Sequence, residues 1–336
     1  MVNYILIYII LIKIKIICKI NITKGIQNLK QNLIIGAVIN YNWKKVAPFV
    51  KSYAMSGFEN CECILFVSNM SKHTINKIKA FGIIVYNIPE KYKNKIIINL
   101  RWKLYEDFLI SNFNKYNLVM AVDVRDIFFQ KDPFKYYINK KSFLGVALED
   151  GTLSERINKR WLIRAYGKDL QRKIQHQRII CVGTVWGTID KLIEFSKEMW
   201  KILDSKWSKK SKVIEQAVTN YIIYHNKMFN DSLVKSCNKD GPIMTIGLTS
   251  NKNIYFDLND NIINMSGKIA AVIHQYDRKP NIVRKIMNKY CPEIFDNKTK
   301  YYYLLFYFLI AIIFILIKFI LLILFKNSLK KKNFEK

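Results

Sequence analysis

The chain reads as an α/β protein, a mostly parallel sheet flanked by helices, followed by one C-terminal transmembrane helix. Three observations predict this. Apolar runs of strand length alternate with segments of helical spacing from Leu33 to Val122, which is how a parallel sheet covered by helices is written. The run Leu118–Val122 breaks off at Asp123, with Asp126 three positions later, and ligands of open α/β sheets bind beyond the carboxyl ends of strands. Tyr301–Phe325 is 25 residues long with a single charge, Lys318, enough to cross a bilayer with some tilt.

In chain order, Leu33–Ile39, Glu62–Val67, Ile83–Asn87 and Leu118–Val122 predict strands, because short apolar runs end at polar or turn residues. Between them, Trp43–Ser56, His73–Phe81 and Lys95–Phe113 have helical spacing. Phe143–Leu148 and Ile269–Ile273 predict further strands, and Ile189–Leu203 and Val213–His225 further helices. No Gly/Pro/Ser-rich linker interrupts residues 33–290. One domain over 33–285 is expected, then a stalk over 286–300, the span 301–325 and a basic tail over 326–336.

The net charge is +30, and only nine of the 55 basic residues are Arg. Lys, Asn and Ile are abundant throughout, so most of the charge is a whole-chain bias. The arginines carry more information, since seven of them lie between Arg101 and Arg178 and Arg suits bidentate phosphate contact. No RNA-recognition, helix-turn-helix or zinc-finger pattern is present, and no aromatics alternate with a basic stripe. The lysines after Phe325 place the tail in the cytosol by the positive-inside rule. The domain would then be lumenal, with residues 1–20, around the apolar run Tyr4–Ile12, as signal peptide or anchor. The rival topology is a tail-anchored cytosolic domain. Five N-x-S/T sequons begin at Asn21, Asn69, Asn230, Asn264 and Asn297. The six cysteines fit either compartment, and Cys61 and Cys63 alternate on a strand, facing opposite ways.

Asp123 and Asp126 carry the chemistry. Two carboxylates ending a buried strand are costly unless a cation lies between them, and oxygen ligands there suit Mg²⁺ or Mn²⁺ shared with phosphates. The local alternative pairs Arg125 with Asp126. Arg101, on the preceding helix, is placed to reach a diphosphate or else lies on an exposed face. A second strand ends in Glu149 and Asp150, expected to face the same crevice and to orient or deprotonate a hydroxyl. Ile180–Thr188 reads as a small, turn-rich segment in which glycines allow close approach to a ligand, with Cys181 a packed thiol. Gln216, Asn220 and Tyr224 form one helical stripe, sugar-binding or solvated. His274 ends a strand, with Arg278 four residues on.

Jointly these pieces resemble the GT-A-fold glycosyltransferases of the nucleotide-diphospho-sugar transferase superfamily. The residues concerned are Asn40-Tyr41-Asn42-Trp43, Asp123-Val124-Arg125-Asp126, Cys181-x-Gly183-Thr184, Glu215-Gln216 and His274-Gln275-Tyr276-Asp277-Arg278. The resemblance spans residues 33–285 and implies a GT-A-like, Rossmann-type sheet and a DxD-type metal site. It implies Asp123 toward the ribose and metal, Asp126 on the metal and His274 as third ligand of Mn²⁺ or Mg²⁺. From their own positions, Asn40, Arg101, Arg125 and Arg278 are, with Asp123, the candidates to bind the sugar nucleotide. Glu149, Asp150 and Gln216 are the candidate catalytic residues. The implied activity is transfer of a sugar from a nucleotide-diphosphate donor to a glycan, glycoprotein or lipid acceptor in the Golgi or endoplasmic reticulum lumen. The spacing departs from the family's D-x-D, and Glu-Gln stands where related enzymes often carry Asp-Gln. The alternatives are a basic lectin-like or nucleic-acid-associated protein with a degenerate site, and a nucleotidyltransferase.

Overall fold

The computed structural model describes residues 30–92, 96–207, 214–294 and 308–315. β1 (Gln31–Ile39), α1 (Trp43–Met55), β2 (Cys61–Ser68), α2 (Lys72–Ala80), β3 (Ile84–Asn87), α3 (Ile97–Ser111) and β4 (Tyr116–Val122) alternate as the apolar pattern predicts. Side-chain caps start two of these helices. Asn42 accepts from the Lys45 N–H at 3.2 Å and Ser71 from that of Thr74 at 3.2 Å. After β5 (Ile127–Phe129) come β6 (Leu144–Thr152), α4 (Arg156–Ile174), β7 (Arg178–Thr188), α5 (Ile189–Trp207) and α6 (Glu215–Tyr224). β8 (Leu233–Cys237), β9 (Ile243–Thr245), β10 (Tyr255–Phe256), β11 (Ile262–Ile263), β12 (Val272–His274) and α7 (Pro280–Tyr290) complete the order.

The main sheet runs β3-β2-β1-β4-β7-β6-β8. Its pairings are parallel except at β7, which is antiparallel to both β4 and β6. β1 has β2 on one side and β4 on the other, so the strand order reverses there and leaves a crevice at the carboxyl ends of β1 and β4. A small sheet, β5-β12-β9, stands beside that crevice.

Alternation along the strands separates two cores. Leu33, Ile35, Ile64, Phe66, Val119 and Ala121 face α3, α5 and α6, whose Trp102, Tyr105, Leu192, Phe195 and Val218 cover them. Their neighbours Ile34, Val38, Leu65, Val67 and Met120 face α1 and α2, meeting Val46, Phe49, Val50 and Ile78. A third cluster joins β9 and β12 to α7 through Met244, Ile273, Ile282, Ile286, Met287 and Tyr290. The packed unit therefore continues past residue 285 into what the sequence suggested as a stalk.

Two elements depart from the sequence reading. Ile180–Thr188 is the body of β7, a strand paired with β4 over Thr184–Thr188 and with β6, through an irregular register, on its other edge, and not a turn-rich loop. Its glycines answer to neighbours, since a Cβ on Gly187 would lie 2.2 Å from the Phe143 carbonyl oxygen. α4 has no apolar stripe to announce it, because its buried positions are Asn158, Leu162, Gln171 and Ile174. Among the described residues no helix is long and apolar enough to cross a membrane. Residues 308–315 are helical. The remainder of the expected span 301–325, the stretch 1–20 and the tail 326–336 lie outside the described residues.

Candidate functional site

β4 delivers Asp123 at its carboxyl end, and the turn to β5 brings back Asp126. Antiparallel pairing of β12 with β5 sets His274 opposite Ile127. One ligand atom from each of Asp123, Asp126 and His274 lies within 4.8 Å of the others. The His274 Nε2 is 3.5 Å from Asp126 Oδ1 and 3.7 Å from Asp123 Oδ2. It is buried and has no hydrogen-bond partner. On the far side of the ring, Nδ1 is 3.3 Å from Cys181 Sγ. Nδ1–H donating to sulfur would leave the Nε2 lone pair for a cation between the carboxylates; without one, burial opposes protonation of the ring but Cys181 and Asp126 outweigh it and raise its pKa above the ordinary value. Two carboxylates and an imidazole nitrogen, one of them orphaned and buried, fit a divalent cation. β7 makes room for the cluster. A Cβ on Gly183 would lie 2.2 Å from His274 Cε1 and 2.7 Å from Asp123 Oδ2. The Asp123 N–H donates to the Gly183 carbonyl at 2.9 Å, locking the end of β4 to β7.

Arg101 joins this cluster to a fourth acid. Its Nη1 donates to Asp123 Oδ1, and its Nε donates to Glu215 Oε2 at 3.0 Å. Trp102 Nε1 donates to the same Glu215 oxygen at 3.1 Å. Burial opposes ionisation of Asp123, but Arg101 and then His274 outweigh it and hold the carboxyl below its ordinary value. At Glu215 burial wins over Arg101 and pushes the carboxyl up to about 7. A carboxyl whose pKa is raised on folding binds more protons folded than unfolded, so its contribution is lost as pH rises from the ordinary 4.5 through about 7. Stability to urea is expected to fall across that window by on the order of 3 kcal/mol. Glu215→Gln should flatten the profile, and an unchanged slope in that variant would assign the titration elsewhere.

Two pockets meet at Asp123 and Glu215, which line both. The first, ≈ 290 Å³, lies over β1 and α3 between Ala37, Ile39, Tyr41, Ile97, Arg101, Arg125 and Asp126. The second, ≈ 370 Å³, is bounded by Glu149, Arg156, Trp161, Gln216, His274 and Arg278. Burial raises the Glu149 carboxyl, partly offset by His274 and Arg278. Gln216 Nε2 reaches Glu149 Oε1 at 3.4 Å while its Oε1 accepts from the Val182 N–H at 3.0 Å.

Several expected site residues sit elsewhere. Asp150 lines neither pocket, because it follows Glu149 on one strand and points the other way. Its carboxylate is taken by Arg178 at 3.0 Å, Asn238 at 2.9 Å and Thr249 at 2.6 Å. Asn40 also lines neither pocket; it adopts φ 57° and accepts from Asn69, leaving Tyr41 on the wall. Arg125 lines the first pocket but pairs with Asp126 at 3.4 Å and Asp277 at 3.1 Å. Arg278 belongs to the second pocket, not to the first with the other donor-side candidates. Of the helical stripe only Gln216 reaches a pocket. Asn220 bonds both backbone groups of Ile180 at 3.0 and 3.1 Å, and the Tyr224 hydroxyl donates to the Arg178 carbonyl at 2.7 Å. These two side chains tie α6 to β7. Sequence reasoning gave Glu215 no role of its own; the adjacent Arg101–Trp102 pair, with two donors to satisfy, was the available signal.

No protein-family model matches this chain, and none of the proteins with curated functions matches it. Among solved structures it is similar to the galactosyltransferase LgtC in complex with donor and acceptor sugar analogues, at 13% identity, 72% of this chain, 86% of that chain and a TM-score of 0.45. It is similar also to an active-site mutant of LgtC, at 13% identity, the same two coverages of 72% and 86%, and a TM-score of 0.46. Likeness of this size assigns neither activity nor substrate to this chain.

Proposed function

We propose that this chain is a divalent-metal-dependent glycosyltransferase that moves a sugar from a nucleotide-diphosphate donor to a hydroxyl acceptor. One observation carries the reading: a cation-ready cluster, Asp123–Asp126–His274, stands where two pockets share Asp123 and Glu215. Two substrates that exchange a group need adjoining sites, and a departing diphosphate needs positive charge at the junction. Asp123, Asp126 and His274 would hold Mn²⁺ or Mg²⁺, which when bound neutralises the diphosphate leaving group.

The chain's own side chains do the rest. Tyr41, Ile97 and Ile98 wall the first pocket with the apolar and aromatic surface that a nucleoside takes. Arg101 fixes the Asp123 carboxylate in place from below. In the second pocket Gln216 steadies Glu149, a buried carboxyl with a raised pKa, suited to orient an acceptor hydroxyl and take its proton.

The test is a panel of nucleotide sugars, each with and without Mn²⁺, read by thermal shift and by hydrolysis of the donor. At least one sugar nucleotide is expected to raise the melting temperature only with metal present. A response confined to a nucleoside triphosphate with a sugar phosphate would make the chain a nucleotidyltransferase instead, and salt-sensitive RNA binding without hydrolysis would favour a binding protein.

The reading includes attachment through Tyr301–Phe325 with a cytosolic basic tail and a lumenal domain, motivated by the lysines after Phe325. Protease added to intact microsomes should remove an epitope placed after Lys336 and spare the domain. Digestion of the domain would select the cytosol-facing, tail-anchored topology.

A further inference from the structure

α4 is broken at Gly167 (φ 86°); it carries Arg156, Lys159, Arg160 and Arg164 before the break and Lys168 and Lys173 after it, all exposed, and none forms an ion pair among the described residues. Its one acid, Asp169, lies 3.5 Å from Arg172. The whole-chain lysine bias does not account for this, because four of the nine arginines stand in this one helix. Arg156, Arg160 and Arg164 follow at four-residue intervals and so share one stripe.

The stripe starts at the rim of the second pocket, which Arg156, Ile157, Asn158 and Trp161 line. Ile157 is 50% exposed, and Leu248, on the same pocket, is 41% exposed. Guanidinium groups beside uncovered aliphatic side chains suit a bilayer interface, where lipid phosphates meet the arginines and the aliphatic groups enter the headgroup region. A nucleic acid or other soluble polyanion would use the arginines and leave Ile157 and Leu248 in water.

We propose that the outer face of α4 docks on the surface of an anionic phospholipid bilayer, turning the second pocket toward the headgroups so that it receives a membrane-borne acceptor. The docking stands on the helix alone and, because the anionic leaflet faces the cytosol, goes with the tail-anchored topology that the protease experiment distinguishes; the acceptor clause rests on the glycosyltransferase reading of the second pocket.

Hydrogen–deuterium exchange of the full chain tests it, with the protein mixed with vesicles of phosphatidylcholine alone or with a quarter of phosphatidylglycerol. Exchange over the first turns of α4 should slow by about tenfold or more with the anionic lipid and recover at high salt. The double variant Arg160→Glu, Arg164→Glu should lose that slowing while keeping its melting temperature and its donor hydrolysis without vesicles, since neither residue lines either of the two pockets. Equal exchange in the two lipids overturns the proposal, as does equal slowing by an RNA oligonucleotide without vesicles. A chain that docks but hydrolyses no sugar nucleotide removes only the acceptor clause, and an active chain that does not dock removes only the docking.

Discussion

Asp126→Ala is expected to lower metal-dependent turnover by about 10³-fold or more while leaving the fold intact. Asp126 is 5% exposed, and its Oδ1 faces the orphaned His274 nitrogen at 3.5 Å. Its removal takes away one of the two carboxylates of the cation cluster. Without metal Asp126 is repelled by Asp123, and its partner Arg125 is half exposed and keeps Asp277 at 3.1 Å, so losing Asp126 strands no buried charge. Mn²⁺ titration by calorimetry and donor hydrolysis measure the loss, and circular dichroism checks the fold. Wild-type turnover in a chelated sample, or unchanged Mn²⁺ affinity in the variant, would remove the cation site from the proposal.

The second large effect is on stability. Arg101→Ala leaves Glu215 and Asp123 without their shared guanidinium, 7% of which residue is exposed. Breaking a buried pair from one side costs about 3–5 kcal/mol, because a charge stays behind unpaired. Urea denaturation should show that loss, with Arg101→Lys recovering only part of it, since an ammonium cannot bridge two carboxylates as a planar fork does. Glu215→Gln added to Arg101→Ala should restore part of the stability, since Asp123 still lacks its partner, and the cycle gives the Arg101–Glu215 coupling. A loss below about 1 kcal/mol would mean that the pair behaves as a solvent-exposed one.

Much of this arrangement was legible before any coordinates. β1 to β4 with their helices follow from the order of apolar segments, because a strand buried on both faces is a short continuous apolar run and each helix announces an apolar side. Asp123 and Asp126 stand out because charge interrupts a run that is otherwise core. His274 ends an apolar run in the same way. Other features depend on residues distant in sequence. The glycines of β7 resemble turn residues until His274 and Phe143 occupy the space where their side chains would be. Asp150 looks equivalent to Glu149 in sequence and differs only because adjacent strand residues face opposite ways, one into the pocket and one onto Asn238 and Thr249. The stripe of α6 reads as a sugar-binding or a solvated face, and Asn220 is instead buried, satisfying the backbone of Ile180. Glu215 enters the sequence reading only as half of Glu215-Gln216; it is central because α3 packs against α6 and brings Arg101 and Trp102 to one of its oxygens. Local pattern reports the period of a segment and where a charge breaks it, so the elements and the acids at their ends could be read from the chain. Which side chains share a pocket depends on pairings between segments, and only the packing of the sheet and its helices decides those.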